Sequence, residues 1–201
     1  MMKRSVFLRG GLAAVVMTAA IAGTWAQEGM PEMTPEQQAE MQAFVAAGTP
    51  GEPHAFMAES VGEFSVVVKS WMEPGTPPMV SEGTATREMT LGGRVLVEEM
   101  STSMMGMPYE GRGTQGFDNV SGKFWATWTD NMSTGLMVSE GSCGDDGTCT
   151  FMGGWNDPMT GKPTTARMVT RQTESGEVME MFGPDREGNE MKMMEIIYTE
   201  K

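Results

Sequence analysis

Short strand-like segments fill most of this chain, from Val61 to Lys201. About ten of them follow one another, with turn residues roughly every 8–12 positions and no helix-period stretch between them. This rhythm predicts an antiparallel sandwich or barrel and argues against a fold that alternates strands with helices. Glycine at 26 positions suits the bends and tight corners that a curved sheet needs.

The apolar period becomes two at Gly62, where Phe64, Val66 and Val68 share one face of the first strand. Further strands are predicted at residues 79–90, 93–101, 108–117, 122–130, 135–142, 148–154, 163–172, 176–183 and 189–199. Ten strands closed in chain order leave more interior space than eight do, enough to admit a ligand. We therefore expect an all-β, antiparallel up-and-down barrel of about ten strands, with an open sandwich as the alternative.

One or two short N-terminal helices are predicted ahead of the barrel. Glu36–Ala47 has helical period, with Thr34 as its N-cap and Gly48 just past its end. Residues 50–53, Pro-Gly-Glu-Pro, break the chain, and His54–Val61 then predicts a second short helix. These helices could cover one end of the barrel.

The N-terminus has the pattern of an export signal. Lys3, Arg4 and Arg9 give a basic start, residues 11–22 are apolar but too short to span a bilayer, and Thr24-Trp25-Ala26 offers a cleavage site. We expect residues 1–26 to be a signal peptide, 27–60 a lead-in with short helices, and 61–201 the barrel. The mature protein would be periplasmic or secreted, with no stable membrane span after signal removal; a retained anchor is the alternative.

The charge of the chain is strongly negative. The formal net charge is −13, and the predicted signal carries three basic and no acidic residues, so the mature charge becomes −16. Such a protein is repelled by phosphate backbones and anionic headgroups, so a nucleic-acid partner is not expected.

The two cysteines, Cys143 and Cys149, flank a hairpin turn sequence at residues 144–148. In an oxidising compartment the pair predicts a disulfide across that hairpin. Neither cysteine lies in a CxxC motif or at a helix start, so a structural role is favoured over redox exchange.

Few residues in the chain can support catalysis. His54 is the only histidine and lies outside the strands, which disfavours nucleophilic triads, zinc and histidine-held haem. Glu98 and Glu99 are adjacent on a strand and point to opposite faces, so they cannot form a catalytic pair directly. We expect a protein that is not an enzyme and that uses no cofactor.

Seven segments of the chain resemble the bacterial proteins of unknown function grouped as DUF1579. The segments are residues 50–54 (PGEPH), 61–64 (VGEF), 71–78 (WMEPGTPP), 104–111 (MMGMPYEG), 116–119 (GFDN), 128–132 (WTDNM) and 157–162 (DPMTGK). The resemblance implies a lipocalin-like barrel and, in many members, an export signal, but no established activity. Where the family has Trp and Tyr, this chain has Phe64 and Phe117.

Strand phase and family position together predict a ligand site inside the barrel for a small apolar or amphipathic molecule. The predicted lining is Met72, Tyr109, Trp125, Trp128 and Met181, with Asp130 and His54 as polar anchors.

Methionine supports two interpretations of the interior. The chain has 24 methionines, which could form an adaptable apolar lining or could simply replace leucine and isoleucine in a core. Alternatively, the clustered thioethers of Met104, Met105 and Met107 could hold Cu(I) or buffer oxidants in the cell envelope.

A third hypothesis for the function, besides ligand binding and the Cu(I) or oxidant role, is a protein-interaction module that binds through an exposed strand or loop.

Overall fold

A computed structural model describes residues 33–158 and 160–201. Ten antiparallel strands pair in chain order, and the last pairs with the first, so the sheet is a closed up-and-down barrel. The predicted fold class is confirmed, and the open sandwich is excluded. The predicted signal peptide at 1–26 lies outside the described residues.

The described elements are two helices and ten strands. They are α1 (Pro35–Gly48), α2 (Glu52–Ala58), β1 (Gly62–Ser70), β2 (Met79–Thr90), β3 (Val95–Met104), β4 (Met107–Asp118), β5 (Lys123–Asp130), β6 (Met137–Cys143), β7 (Cys149–Asn156), β8 (Pro163–Thr173), β9 (Gly176–Pro184) and β10 (Glu190–Glu200).

Helix α1 begins at the predicted cap. The Thr34 hydroxyl accepts the Gln37 N–H, and the Gln37 side chain accepts the Thr34 N–H, so two otherwise unpaired donors are satisfied. Helix α2 begins at Glu52, before the predicted start at His54, and ends at Ala58 instead of Val61. The earlier start is possible because Pro53 fits the first turn of a helix, where its missing N–H costs nothing.

The helical segment lies at one end of the barrel. Phe56 of α2 packs edge-on against Phe124, with ring centroids 6.3 Å apart. Arg94, in the β2–β3 turn, donates to the carbonyl of Gly48 at 2.6 Å, and Asn119, in the β4–β5 turn, donates to that of Thr49 at 2.8 Å. We call this the helical end.

The opposite end, which we call the mouth, is formed by the β1–β2, β3–β4, β5–β6, β7–β8 and β9–β10 loops. Its tightest turn is Met105-Gly106, where both residues have positive φ, 51° and 77°, as a two-residue hairpin requires.

Among the described residues, no helix has both the length and the apolar character needed to cross a bilayer.

Cys143 and Cys149 face each other at the ends of β6 and β7 and form a disulfide, as predicted. No free cysteine remains in the described part of the chain. The bond closes a hairpin at the helical end and is consistent with an oxidising, extracytoplasmic compartment.

Replacing both cysteines with alanine should leave the barrel folded and lower its free energy of unfolding by about 2 kcal/mol, because the closed loop is short and removes little chain entropy. Urea denaturation followed by circular dichroism measures the change. Loss of the folded state would contradict this, because it would mean that the disulfide specifies the fold.

Candidate ligand cavity

The barrel encloses a cavity of about 900 Å³. Its wall is mainly apolar, with side chains from all ten strands, and continues onto the loops of the mouth. Thirteen of the described wall residues are methionines: Met57, Met72, Met79, Met100, Met104, Met105, Met132, Met137, Met168, Met179, Met181, Met193 and Met194. The cavity is therefore bounded by flexible, polarisable side chains that can adapt to an occupant.

A buried ion cluster forms part of the wall toward the helical end. The Arg87 side chain, 7% exposed, donates from Nε to Glu98 Oε2 at 2.6 Å and from Nη2 to Glu177 Oε1 at 2.9 Å. Tyr198 donates its hydroxyl to the other oxygen of Glu98 at 3.0 Å, and the guanidinium carbon lies 4.2 Å from the centroid of the Tyr198 ring. We call these four residues the Arg87 cluster.

Both the cation and the phenol of the Arg87 cluster keep their protons. Burial lowers the pKa of Arg87, but the carboxylates of Glu98 and Glu177 raise it more, so the net shift is upward. Burial, followed by the neighbouring Glu98 carboxylate, raises the pKa of Tyr198 well above its ordinary value of 10.0. The cluster thus holds two carboxylates, one guanidinium and a neutral phenol.

A second polar group lies nearer the mouth. Trp128 donates its indole N–H to the Tyr109 hydroxyl at 2.8 Å, and Tyr109 donates to Asp130 Oδ2 at 3.3 Å. The other Asp130 oxygen accepts the backbone N–H of Met132 at 2.9 Å. Burial raises the pKa of Tyr109, so its hydroxyl remains a donor.

Glycine makes room for the Trp128 ring. Gly111, on β4 beside β5, lies directly under that ring, and a Cβ at this position would overlap it. A side chain at Gly111 would therefore displace the indole and its hydrogen bond to Tyr109.

The wall includes five of the seven side chains that the sequence predicts to contact a ligand. These are Met72, Tyr109, Trp128, Asp130 and Met181. Met72 lies at the mouth and is 69% exposed, whereas Tyr109 is buried.

The other two predicted side chains, His54 and Trp125, are not part of the wall. His54 is in the first turn of α2, where its Nδ1 accepts the Gly51 N–H at 3.1 Å, and its ring packs against Phe117. Trp125 covers Gly116 on the outer face of β5. Trp125 and Trp128 are three positions apart on one strand, so they point to opposite faces.

Met104, Met105 and Met107 surround the tight β3–β4 turn. Met104 and Met107 are opposite each other in the register, and Met104 and Met105 contribute to the cavity wall. Met105 and Met107 are 60% and 45% exposed. Among the described residues, no group of three or more His, Cys, Asp or Glu could hold a metal ion.

Sequence reasoning did not identify the Arg87 cluster. A usable signal was present, because Arg87 and Glu98 occupy inward positions of their strands, Arg87 two residues after buried Ala85 and Glu98 two before buried Met100. A charged residue on an apolar strand face must find a partner, and here the two are directly opposite in the β2–β3 register.

The fold and the cavity define the class of the protein, a closed ten-stranded antiparallel barrel with a large, mainly apolar interior space. Residues 49–200 match the family described as "Protein of unknown function (DUF1579)", and the chain belongs to that family. No functionally curated protein matches the sequence.

Arg87→Met should lower the free energy of unfolding by about 3–5 kcal/mol at pH 7, because it leaves the Glu98 and Glu177 carboxylates buried without their cation. Urea denaturation at pH 7 measures the change.

Arg112→Met is the matched control. This arginine is on the outer face of β4, its side chain is 62% exposed, and its only described ion pair, with Glu99, is 3.9 Å long. Its loss should change stability by less than about 1 kcal/mol. Equal effects of the two substitutions would show that the Arg87 cluster does not stabilise the interior.

Proposed function

We propose that this protein is a non-catalytic binding protein that holds a small apolar or amphipathic molecule inside its barrel. The observation that carries this proposal is the cavity of about 900 Å³ with its methionine-rich wall. Apolar surface gains roughly 25 cal/mol for each Å² removed from water, so an apolar occupant is favoured over water.

The size of the cavity supports a ligand larger than a few waters. Ligand pockets typically enclose about 300–1,000 Å³, and this cavity is near the upper end of that range. A wall built from methionine adapts to different occupants because the thioether side chain is unbranched and flexible. The arrangement therefore suits a ligand with a long or variable apolar part.

A non-catalytic role is supported by the state of the titratable groups. The carboxylates of the Arg87 cluster are bound by its guanidinium and its phenol, and Asp130 is bound by Tyr109 and a backbone N–H. Groups held in place by these hydrogen bonds fix the shape and polarity of the wall.

Export to the periplasm or the exterior is part of the proposal. Its support is the Cys143–Cys149 disulfide, since such bonds persist in oxidising compartments. A carrier there would take up its ligand outside the cytoplasm.

Cu(I) binding is a second candidate, favoured by the three thioethers of Met104, Met105 and Met107 around one turn. It requires that Cu(I) raise the melting temperature and that changing all three to leucine abolish the rise. Because the side chains of Met105 and Met107 are exposed to water, we rank this function second.

The two tryptophans of β5 provide a direct test of binding inside the barrel. N-phenyl-1-naphthylamine, a neutral apolar fluorophore, should bind saturably to the wild-type protein. Trp128→Leu should weaken its binding about tenfold, because an aromatic contact is worth about 1–1.5 kcal/mol. Fluorescence titration gives the dissociation constants.

Trp125→Leu is the control, since this residue is on the same strand but on the outer face. The dissociation constant of N-phenyl-1-naphthylamine from Trp125→Leu should equal that from the wild type. Absence of saturable binding would refute the proposed binding function, and equal weakening by both variants would place the fluorophore on the outer surface.

A further inference from the structure

We infer that the preferred occupant is an amphiphile with a cationic head, a protonated amine or a quaternary ammonium group, bound beside Asp130 with its apolar tail in the barrel. This inference rests on the proposed binding function and adds the chemical class of the ligand. It is carried by the charge balance of the cavity wall and by the surroundings of Asp130.

The wall carries more negative than positive charge. Its described charged side chains are three carboxylates, Glu98, Asp130 and Glu177, and one guanidinium, Arg87. Arg87 is the only basic residue among the described wall residues, and it is already bound to Glu98 and Glu177. The Arg87 cluster therefore has a net negative charge before Asp130 is counted.

Asp130 is the carboxylate that remains available to a ligand. Its described partners are neutral, the Tyr109 hydroxyl and the Met132 N–H. No lysine or arginine in residues 33–158 and 160–201 forms an ion pair with it. Each oxygen of a carboxylate can accept a further bond, so a cation on the cavity side would complete this group.

The neighbours of Asp130 also suit an organic cation. Tyr109 is hydrogen-bonded to Asp130, and Trp128 is hydrogen-bonded to Tyr109. Both line the same cavity and present aromatic rings, which attract alkylammonium groups. Met104 and Met132 are wall residues of the mouth as well, and their thioethers offer soft, apolar contact to the carbons of the head group.

An anionic amphiphile such as a fatty acid fits the same wall poorly. Its carboxylate would need a free cation, but the one guanidinium of the described wall, Arg87, is already bound to the carboxylates of Glu98 and Glu177. It would also enter a protein whose formal net charge is −13. Charge complementarity thus separates cationic from anionic ligands of equal apolar size.

Three ten-carbon amphiphiles, decyltrimethylammonium, decanol and decanoate, test the inference directly. Each would compete with N-phenyl-1-naphthylamine in 150 mM salt, below its micelle concentration or solubility limit. We expect decyltrimethylammonium to bind about tenfold tighter than decanol, and decanoate to bind most weakly.

Asp130→Asn tests the location of the head group. The amide removes the charge and keeps one acceptor oxygen for Tyr109, while its NH2 group replaces the oxygen that accepts the Met132 N–H. The variant should lose the roughly tenfold preference for decyltrimethylammonium and keep the wild-type affinity for decanol. Glu110→Gln removes the same charge from an exposed side chain of β4, close to Tyr109 in sequence, and should leave all three affinities unchanged.

The outcomes separate the two proposals. If decanol binds and decanoate equals or exceeds decyltrimethylammonium, the cationic ligand class is wrong while the binding function stands. If Asp130→Asn and Glu110→Gln reduce the preference equally, the attraction is the general charge of the protein, and the site at Asp130 is refuted. If the fluorophore binds but none of the three displaces it, the ligand class is wrong while the binding function stands. If the fluorophore itself does not bind, the binding function fails, and this inference fails with it. If Asp130→Asn does not fold, the order of the three affinities for the wild-type protein decides the ligand class.

Discussion

Backbone pairing between β1 and β10 is the interaction on which the other features of this structure depend. It runs from Phe64 opposite Glu200 to Ser70 opposite Met194 and turns an open meander into a barrel. Closure removes both sheet edges and gives every strand an inside and an outside. On the outside, Lys69 of β1 binds Glu195 of β10 at 2.7 Å, and Lys192 bridges Glu195 to Glu180 of β9. These charges join the closing strands where like charges would otherwise face each other.

A barrel of ten strands has an interior wider than its inward side chains fill. The inward side chains form two apolar clusters, one around Phe64 and Tyr198 and one around Phe124 and Phe151, and they still leave a large cavity. Charges on these inward faces lose water, so they persist only with partners. Arg87 and its carboxylates satisfy this condition in the wall itself. The same balance makes the interior an apolar space with negative charge, and that charge is the basis for the ligand class we propose.

The strand number, the order of strands and the disulfide could be predicted because local signals determine them. Period-two alternation, turn residues and the cysteines on either side of a hairpin turn are all read within a few residues. Contacts between distant segments could not be read in this way. Arg87 and Glu177 are 90 residues apart, and Tyr198 and Glu98 are 100 apart. Trp125 is a different case, since alternation along β5 already places it on the face opposite to Trp128.

The close fit of glycine and tryptophan has a consequence for how this barrel can vary. Gly111 lies beneath Trp128 inside the barrel, and Gly116 lies beneath Trp125 outside it. In each pair the large ring occupies space that exists only because its neighbour has no side chain. A bulkier residue at either glycine becomes tolerable only after the partner has shrunk, so the fitness effect of one substitution depends on the other. We therefore expect positions 111 and 128, and positions 116 and 125, to co-evolve as pairs.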